Sequence, residues 1–379
     1  MRLLEVLARL DWWVVLVAGA IALVGCAFIH STTLDEPGLA TKHVLVLAIA
    51  AASGLAVLAV PYGRVQRYAW PLYVVAVSAL LLLPVFGVTI NGAQRWYRLP
   101  GFYVQPSELA KLAVIVALAS YLRFRTKART FEGLLVPLAI AGLPALLVMR
   151  QPDLGSALVF GPVLLAACTA AGAPARSLWG LLAAGAVLSV TAYFVLHDYQ
   201  RERVDVWLQH FTWGEGAEFD PEVQAILRDR GYQPWQALIA IGSGGWLGFG
   251  LTEGPQNRYG FLPYRYDDYV FAVVAEEGGL AGAVGLLALQ GLLVIGLLAI
   301  ALRTRERFGR LLVVGVAAYF ATQTLVHAAV CTWLIPATGL PMPLVSYGGS
   351  STMVSVWALA LALSVGARPE PVLGSDGFR

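Results

Sequence analysis

The sequence predicts an all-α, polytopic membrane protein: ten transmembrane helices, with a large extracytoplasmic loop between helices 7 and 8. Three observations lead there. Hydrophobic residues make up 58% of the 379 positions and charged residues only 13%, against roughly 45–50% and 25% in a soluble domain. The apolar residues gather in blocks of about 18 to 25, the length a helix needs to cross a hydrocarbon core of about 30 Å and too long for the strands of a membrane barrel. Lys and Arg collect on alternate connections, the asymmetry that orients membrane helices.

In order, the blocks are 12–30, 42–61, 68–88, 106–122, 132–149, 154–171, 177–196, 269–302, 310–334 and 350–367. Each is a helix because only a helix satisfies its own backbone inside lipid. The first is too long for a signal-peptide core, so it is kept as a span. The eighth would be about 50 Å long as one helix, so it must tilt, project from the bilayer, or break near Gly278 and Gly279. The whole of 1–379 reads as one membrane domain, with 197–268 as the large loop within it. There "GYQPWQALIAIGSGGWLGFG" suits a short amphipathic helix begun at Pro234 and ended by the glycines from Gly242, a re-entrant or interfacial piece.

One side holds Arg2, Arg9, Arg64, Arg67, Arg123, Arg125, Lys127, Arg129, Arg176, Arg303, Arg305, Arg307, Arg310 and Arg368; the other short loops hold Lys42, Arg95, Arg98 and Arg150. Both termini are therefore expected in the cytoplasm, and the large loop outside. A net charge of +3 scattered over short loops gives nucleic-acid binding no support. Cys26, Cys168 and Cys331 lie in apolar blocks without metal-site or disulfide spacing and read as core residues.

Charges inside such blocks are costly enough to need a partner or a task. In "VQPSELAKLAVIV", Glu108 and Lys111 share a helix face behind Pro106, either as an internal salt bridge or as a polar wall of an outward cavity. In "NGAQRWYRLP", two arginines stand on the positively depleted side. They suit headgroup contact or an anionic ligand such as a lipid phosphate. Asp153 in "RQPDLGSAL" makes a good helix cap, and Gly348 to Ser351 open the last helix with free N–H groups. His327 reads as a hydrogen-bonded core histidine. Asp267 and Asp268 open block eight, where one acid is favoured by the helix dipole alone. Glu276 lies about 12 Å deeper and needs a partner, and Glu277 points elsewhere on the helix. A carboxylate in a poorly solvated cavity can serve as a base.

The combination of "NGAQRWYRLPGFYVQPSELAKLA", "RQPDLGSAL", "LHDYQRERV", "GYQPWQALIAIGSGG", "FLPYRYDDYVFAVVAEEGGLAG" and "GLPMPLVSYGGSS" resembles the RodA/FtsW family, the SEDS peptidoglycan polymerases. The motifs span most of the chain in the right order. That resemblance implies polymerisation of lipid II into glycan strands at the outer face of the bacterial cytoplasmic membrane, with Asp268 as the essential aspartate and general base. It also implies Arg95, Glu108, Lys111, Asp153, Arg201, Arg203 and Gln256 as substrate-binding positions. Pyrophosphate stabilisation falls to Lys111 with one or more of Arg95, Arg201 and Arg203, with a divalent cation, Mg²⁺ or Mn²⁺, as the expected cofactor, no organic cofactor, and ligands that the sequence does not identify. "LHDYQRERV" and "NGAQRW" look more like the elongation branch, and a class B penicillin-binding protein is the implied partner beside lipid II and membrane lipids. The family's usual His-Thr before the aspartate is Tyr266-Asp267 here. A lipid II flippase and an inactive scaffold are the competing readings. A flippase places its ionisable groups at the midplane, whereas these lie near the outer boundary; a scaffold would bind partners without making polymer.

Overall fold

The computed structural model describes residues 3–90, 92–124, 132–194, 196, 198–214 and 216–368. Arg2, Arg125, Lys127 and Arg129, four of the orienting cations, lie outside the described residues. The elements run α1 (Leu3–Ala8), α2 (Trp12–Thr32), α3 (Pro37–Ala59), α4 (Tyr62–Arg67), α5 (Ala69–Phe86), β1 (Val88–Ile90), β2 (Ala93–Leu99), β3 (Phe102–Val104), α6 (Pro106–Leu122), α7 (Leu135–Arg150), α8 (Leu154–Ala170), α9 (Ala175–Tyr193), α10 (Asp198–His210), α11 (Pro221–Arg228), α12 (Tyr232–Ser243), α13 (Pro255–Arg258), α14 (Val270–Arg303), α15 (Arg307–Cys331) and α16 (Gly349–Ala367).

This is an integral membrane protein, and its mostly helical chain shows it in which residues face out. Among the described residues six helices are long and apolar enough to span a membrane, namely α2, α3, α5, α14, α15 and α16; α7, α8 and most of α9 are shorter apolar helices. Leu16, Leu23, Val74, Val75 and Leu302 are exposed, while Glu108, Lys111, Gln323 and His327 are buried. Lipid is as apolar as leucine, so leucine gains nothing by turning inward and polar groups must. The helix α6, with Pro106 in its first turn, is buried along nearly its whole length and lies against α5, α7, α8 and α15.

The expectation of an all-helical chain is corrected between α5 and α6. There β1, β2 and β3 form an antiparallel sheet, pairing Thr89 with Gln94 and Arg98 with Tyr103. Its turns fall at Gly92 and Gly101, and the run "RWY" favours a pleated, half-buried surface. A connection that the sequence presented as a loop is therefore a small sheet that carries Arg95.

Of the three ways open to block eight, tilt, projection or a break, the chain takes a break, at Gly279 (φ 64°, ψ −167°), a conformation that L side chains rarely adopt. A break within a span frees backbone groups that must find partners. The loop after α12 supplies them. The N–H of Phe249 and of Gly250 donate to the carbonyls of Glu276 and Glu277 at 3.2 and 2.9 Å, and the N–H of Leu280 and Ala281 donate to the carbonyls of Gly245 and Trp246 at 2.8 and 3.1 Å. A Cβ on Gly244 would fall 2.0 Å from the Ala275 carbonyl oxygen, and one on Gly248 2.1 Å from that of Glu277. The glycine run is the fit of one backbone into another. The helix α12 begins at Tyr232, two residues before Pro234.

The two glutamates complete this joint. Glu276 accepts the N–H of Gln256 at 2.6 Å and of Asn257 at 3.1 Å, capping α13. Glu277 accepts from Ser31 Oγ and Asn257 Nδ2, each at 2.6 Å. Both carboxylates fasten the loop to α14 and α2.

Candidate active site

The turn that precedes α14 presents Asp268. Tyr264 sits in the left-handed region at φ 53°, and its carbonyl receives the N–H of Asp267, Asp268 and Tyr269 at 3.3, 3.1 and 3.2 Å. The segment between α15 and α16 holds the turn from the other side. The N–H of Tyr347 donates to the Tyr266 carbonyl at 2.8 Å, and Ser346 Oγ donates to that of Asp267 at 2.6 Å. Cys331 Sγ lies 3.8 Å from the Asp268 carbonyl oxygen. A Cβ on Gly339 would sit 3.1 Å from Asp268 Oδ2, so the backbone packs closely against the carboxyl group. His327, fully buried, anchors the same segment through Nδ1 and the Leu340 carbonyl at 2.7 Å, as a core histidine should.

Three further groups shape the charge at Asp268. Its half-buried carboxyl is pushed up to about 6, first by lost hydration; Arg203 pulls it down, Asp153 pushes it up and Arg95 pulls it down. Asp267 is raised well above the usual carboxylate range, by burial and then by Asp268. Arg203, on α10, donates to the Ala337 carbonyl at 2.8 Å. Arg95, on β2, donates through Nε to the Gln151 carbonyl at 2.8 Å and through NH2 to that of Pro152. Asp153 caps α8 through the Ser156 N–H at 3.0 Å and also accepts from Gln105 Nε2 at 3.1 Å and Ser107 Oγ at 3.3 Å. Capping and placement beside Asp268 are met by one side chain.

A half-buried acid with a proton affinity near neutrality, flanked by two arginines, has the composition of a site that moves a proton next to an anion. The family model for FtsW/RodA/SpoVE, described as a cell cycle protein, matches residues 7–369. The chain belongs to the FtsW/RodA/SpoVE family. It is similar to FtsW of Geobacter sulfurreducens, 36% identical over 82% of this chain and 80% of that one. MrdB of Escherichia coli K12, a peptidoglycan glycosyltransferase, is 31% identical over 94% and 93%. Two solved structures share the fold. A chain of a peptidoglycan synthase complex, described for how it coordinates polymerization and crosslinking, is 33% identical with a TM-score of 0.79, over 94% of this chain and 97% of that one. RodA of Thermus thermophilus is 30% identical with a TM-score of 0.70, over 96% and 98%.

The remaining expected positions of this family member are tied elsewhere. Lys111 closes on Glu108 at 2.6 Å, and neither side chain is exposed; of the two readings open in the sequence, the internal salt bridge is the one built. Arg201 donates to the carbonyls of Tyr193, at 3.0 Å, and Phe194, at the end of α9. Gln256 lies on α13, its N–H on Glu276. Sequence reasoning missed Gly339 and Ser346 as supports of Asp268, although both lie in the motif "GLPMPLVSYGGSS". It also passed over Arg265, for which no local pattern speaks. Among the described residues no group of three or more His, Cys, Asp or Glu side chains could hold a metal ion.

Proposed function

We propose that this protein is a peptidoglycan glycosyltransferase that polymerises lipid II, and that Asp268 is its general base. The observation that carries the reading is the half-buried carboxyl of Asp268, within electrostatic reach of Arg203 and Arg95, on a turn fixed by backbone hydrogen bonds. A sugar hydroxyl of the acceptor attacks the anomeric carbon of the donor, forming the new C–O bond as the bond to the lipid pyrophosphate breaks. The hydroxyl proton passes to Asp268, and the leaving oxygen takes the bonding electrons. Arg203 and Arg95 are the cations placed to meet that developing charge. Lys111 becomes available to phosphate only by exchanging Glu108. A Mg²⁺ or Mn²⁺ ion belongs to this proposal as well; bound beside the pyrophosphate it would neutralise the charge of the leaving group.

Ten crossings, both termini in the cytoplasm and an outward segment 197–268 complete the reading, supported by Arg9, Arg64, Arg67, Arg123, Arg176, Arg303, Arg305, Arg307, Arg310 and Arg368 near the corresponding helix ends. The membrane is the bacterial cytoplasmic one. A class B penicillin-binding protein is the proposed partner, in keeping with the relative found in a synthase complex. The elongation role rests on "LHDYQRERV", since relatives of both branches match. The test is glycan synthesis from lipid II by purified protein with its partner and Mg²⁺, for wild type, Asp268→Asn and Asp267→Asn. Loss of polymer in Asp268→Asn alone, with folding retained, is expected; polymer from Asp268→Asn refutes the base assignment.

A further inference from the structure

On the far end of the Asp268 turn is a cavity of about 320 Å³ lined by Asp35, Arg258, Tyr259, Tyr264, Arg265 and Tyr266, among others. That is the small end of ligand pockets, which run from about 300 to 1,000 Å³, with room for a peptide end and not for a whole lipid-linked substrate. We infer that this cavity is a substrate subsite in which Arg265 takes a carboxylate of the stem peptide; the inference rests on the polymerase reading above.

Arg265 is built for exchange. Its Nε donates to the Thr32 carbonyl at 2.9 Å and its NH1 to the Asn257 carbonyl at 2.5 Å, so the main chain fixes the guanidinium plane. The remaining nitrogen, NH2, rests on Asp35 Oδ2 at 3.1 Å. The Arg265 side chain is 15% exposed and that of Asp35 is 77% exposed. Two of its bonds are structural and the third is open to exchange. This one ends on a carboxylate in water, a pair worth roughly 0–1 kcal/mol that an incoming anion can replace. Arg258, itself exposed and paired with the exposed Glu253, is a second cation at the cavity. Tyr259, Tyr264 and Tyr266 add ring faces and hydroxyls suited to a peptide or sugar edge. Positions of unfavourable backbone conformation cluster at ligand and active sites, and Tyr264 is one. Since its carbonyl holds the N–H of Asp267, Asp268 and Tyr269, the cavity wall and the support of Asp268 are one turn. Arg203 and Arg95 act on the Asp268 carboxyl, whereas Arg265 is tied to the wall of this cavity through Thr32, Asn257 and Asp35; pyrophosphate is therefore assigned to the first two and a peptide carboxylate to Arg265.

The experiment compares Arg265→Gln and Asp35→Asn with wild type on three substrates: lipid II with free peptide carboxylates, lipid II with those carboxylates amidated, and the lipid-linked disaccharide without its peptide. With free carboxylates, Arg265→Gln should raise KM about ten-fold, the loss of one charge-assisted hydrogen bond, and leave kcat within about two-fold. Asp35→Asn, which removes the competitor, should lower KM by about two- to five-fold. It carries the test should Arg265→Gln fold poorly. Neither variant should matter for the other two substrates. An equal KM rise without the peptide would assign Arg265 to phosphate and overturn the inference, as would no change in either variant. Binding of the free stem pentapeptide to purified protein, measured by calorimetry, separates the two layers. Arg265-dependent binding with no polymer from wild type removes the polymerase reading and keeps the cavity. Polymer without these KM shifts removes the cavity and keeps the polymerase.

Discussion

Exchanging Glu276 for Gln and, separately, Glu277 for Gln makes the same chemical change one residue apart, and the hydrogen bonds predict different outcomes. Both oxygens of Glu276 are engaged, each by a backbone N–H, and the residue is fully buried. A Gln must aim its NH2 at one of those N–H groups, with no water to separate two donors. Losing a charge-assisted bond costs about 1.5–3 kcal/mol and stranding a buried donor about 1–3 kcal/mol, so the loss is about 3–5 kcal/mol. Glu277 differs because Oε1 alone accepts from Ser31 and Asn257, while Oε2 has no hydrogen-bond partner among the described residues. A Gln there keeps Oε1 in place and removes a buried charge, which offsets the weakening of two bonds, but it leaves the NH2 without an acceptor where Oε2 stood, so the loss is about 1–3 kcal/mol. Thermal unfolding of the purified protein in detergent is the assay, with proteolysis at the loop after α12 as a local readout. Glu276→Gln should unfold several degrees lower and be cut faster, and Glu277→Gln should show the smaller loss of the two. Equal losses, or a larger one in Glu277→Gln, would show that these bonds are not what fastens the loop.

Three further outcomes follow from the same geometry. The rate of glycan synthesis should rise with pH through about 6 and level off above it, as Asp268 loses its proton; Arg203→Gln, removing the cation that lowers this value, should move the midpoint upward, and an unmoved midpoint would separate Arg203 from Asp268. Because the folded value lies above the ordinary 3.8, the ionised carboxyl opposes folding increasingly between about pH 4 and 6 and fully above. Asp268→Asn should therefore unfold at a higher temperature than wild type at pH 7.5 and lose that advantage near pH 4, as thermal scans at the two values will show. Gly245→Ala, at φ 56° with open space around it, should cost only the left-handed backbone, about 1–2 kcal/mol. Gly248→Ala adds the overlap with the Glu277 carbonyl and should cost roughly 1–3 kcal/mol more; matching melting curves for the two would contradict the close approach.

Much of this protein is legible in one dimension. Apolar block length and the paucity of charge determine a membrane protein of helices, Pro106 and Asp153 mark helix starts, and the Gly278-Gly279 pair marks the break in α14. Each depends on residues within a few turns of one another, because helix formation, capping and burial in lipid are local. The position of Asp268 at a helix entrance is likewise local, and the family motifs point to it. Tertiary structure decided the partners. Glu276 and Glu277 became fasteners because the loop after α12 folds back onto the broken helix. Lys111 was closed by Glu108 where the sequence allowed an open wall, and Arg201 turned to the end of α9. Arg95, Asp153 and Arg203 come from β2, the start of α8 and α10, and their effect on Asp268 exists only once those elements pack around one turn. Arg265 gave no signal because its meaning lies in three acceptors, two of them more than two hundred residues away at Thr32 and Asp35. Charge interactions act through space within a few ångströms, whereas a sequence orders residues along the chain.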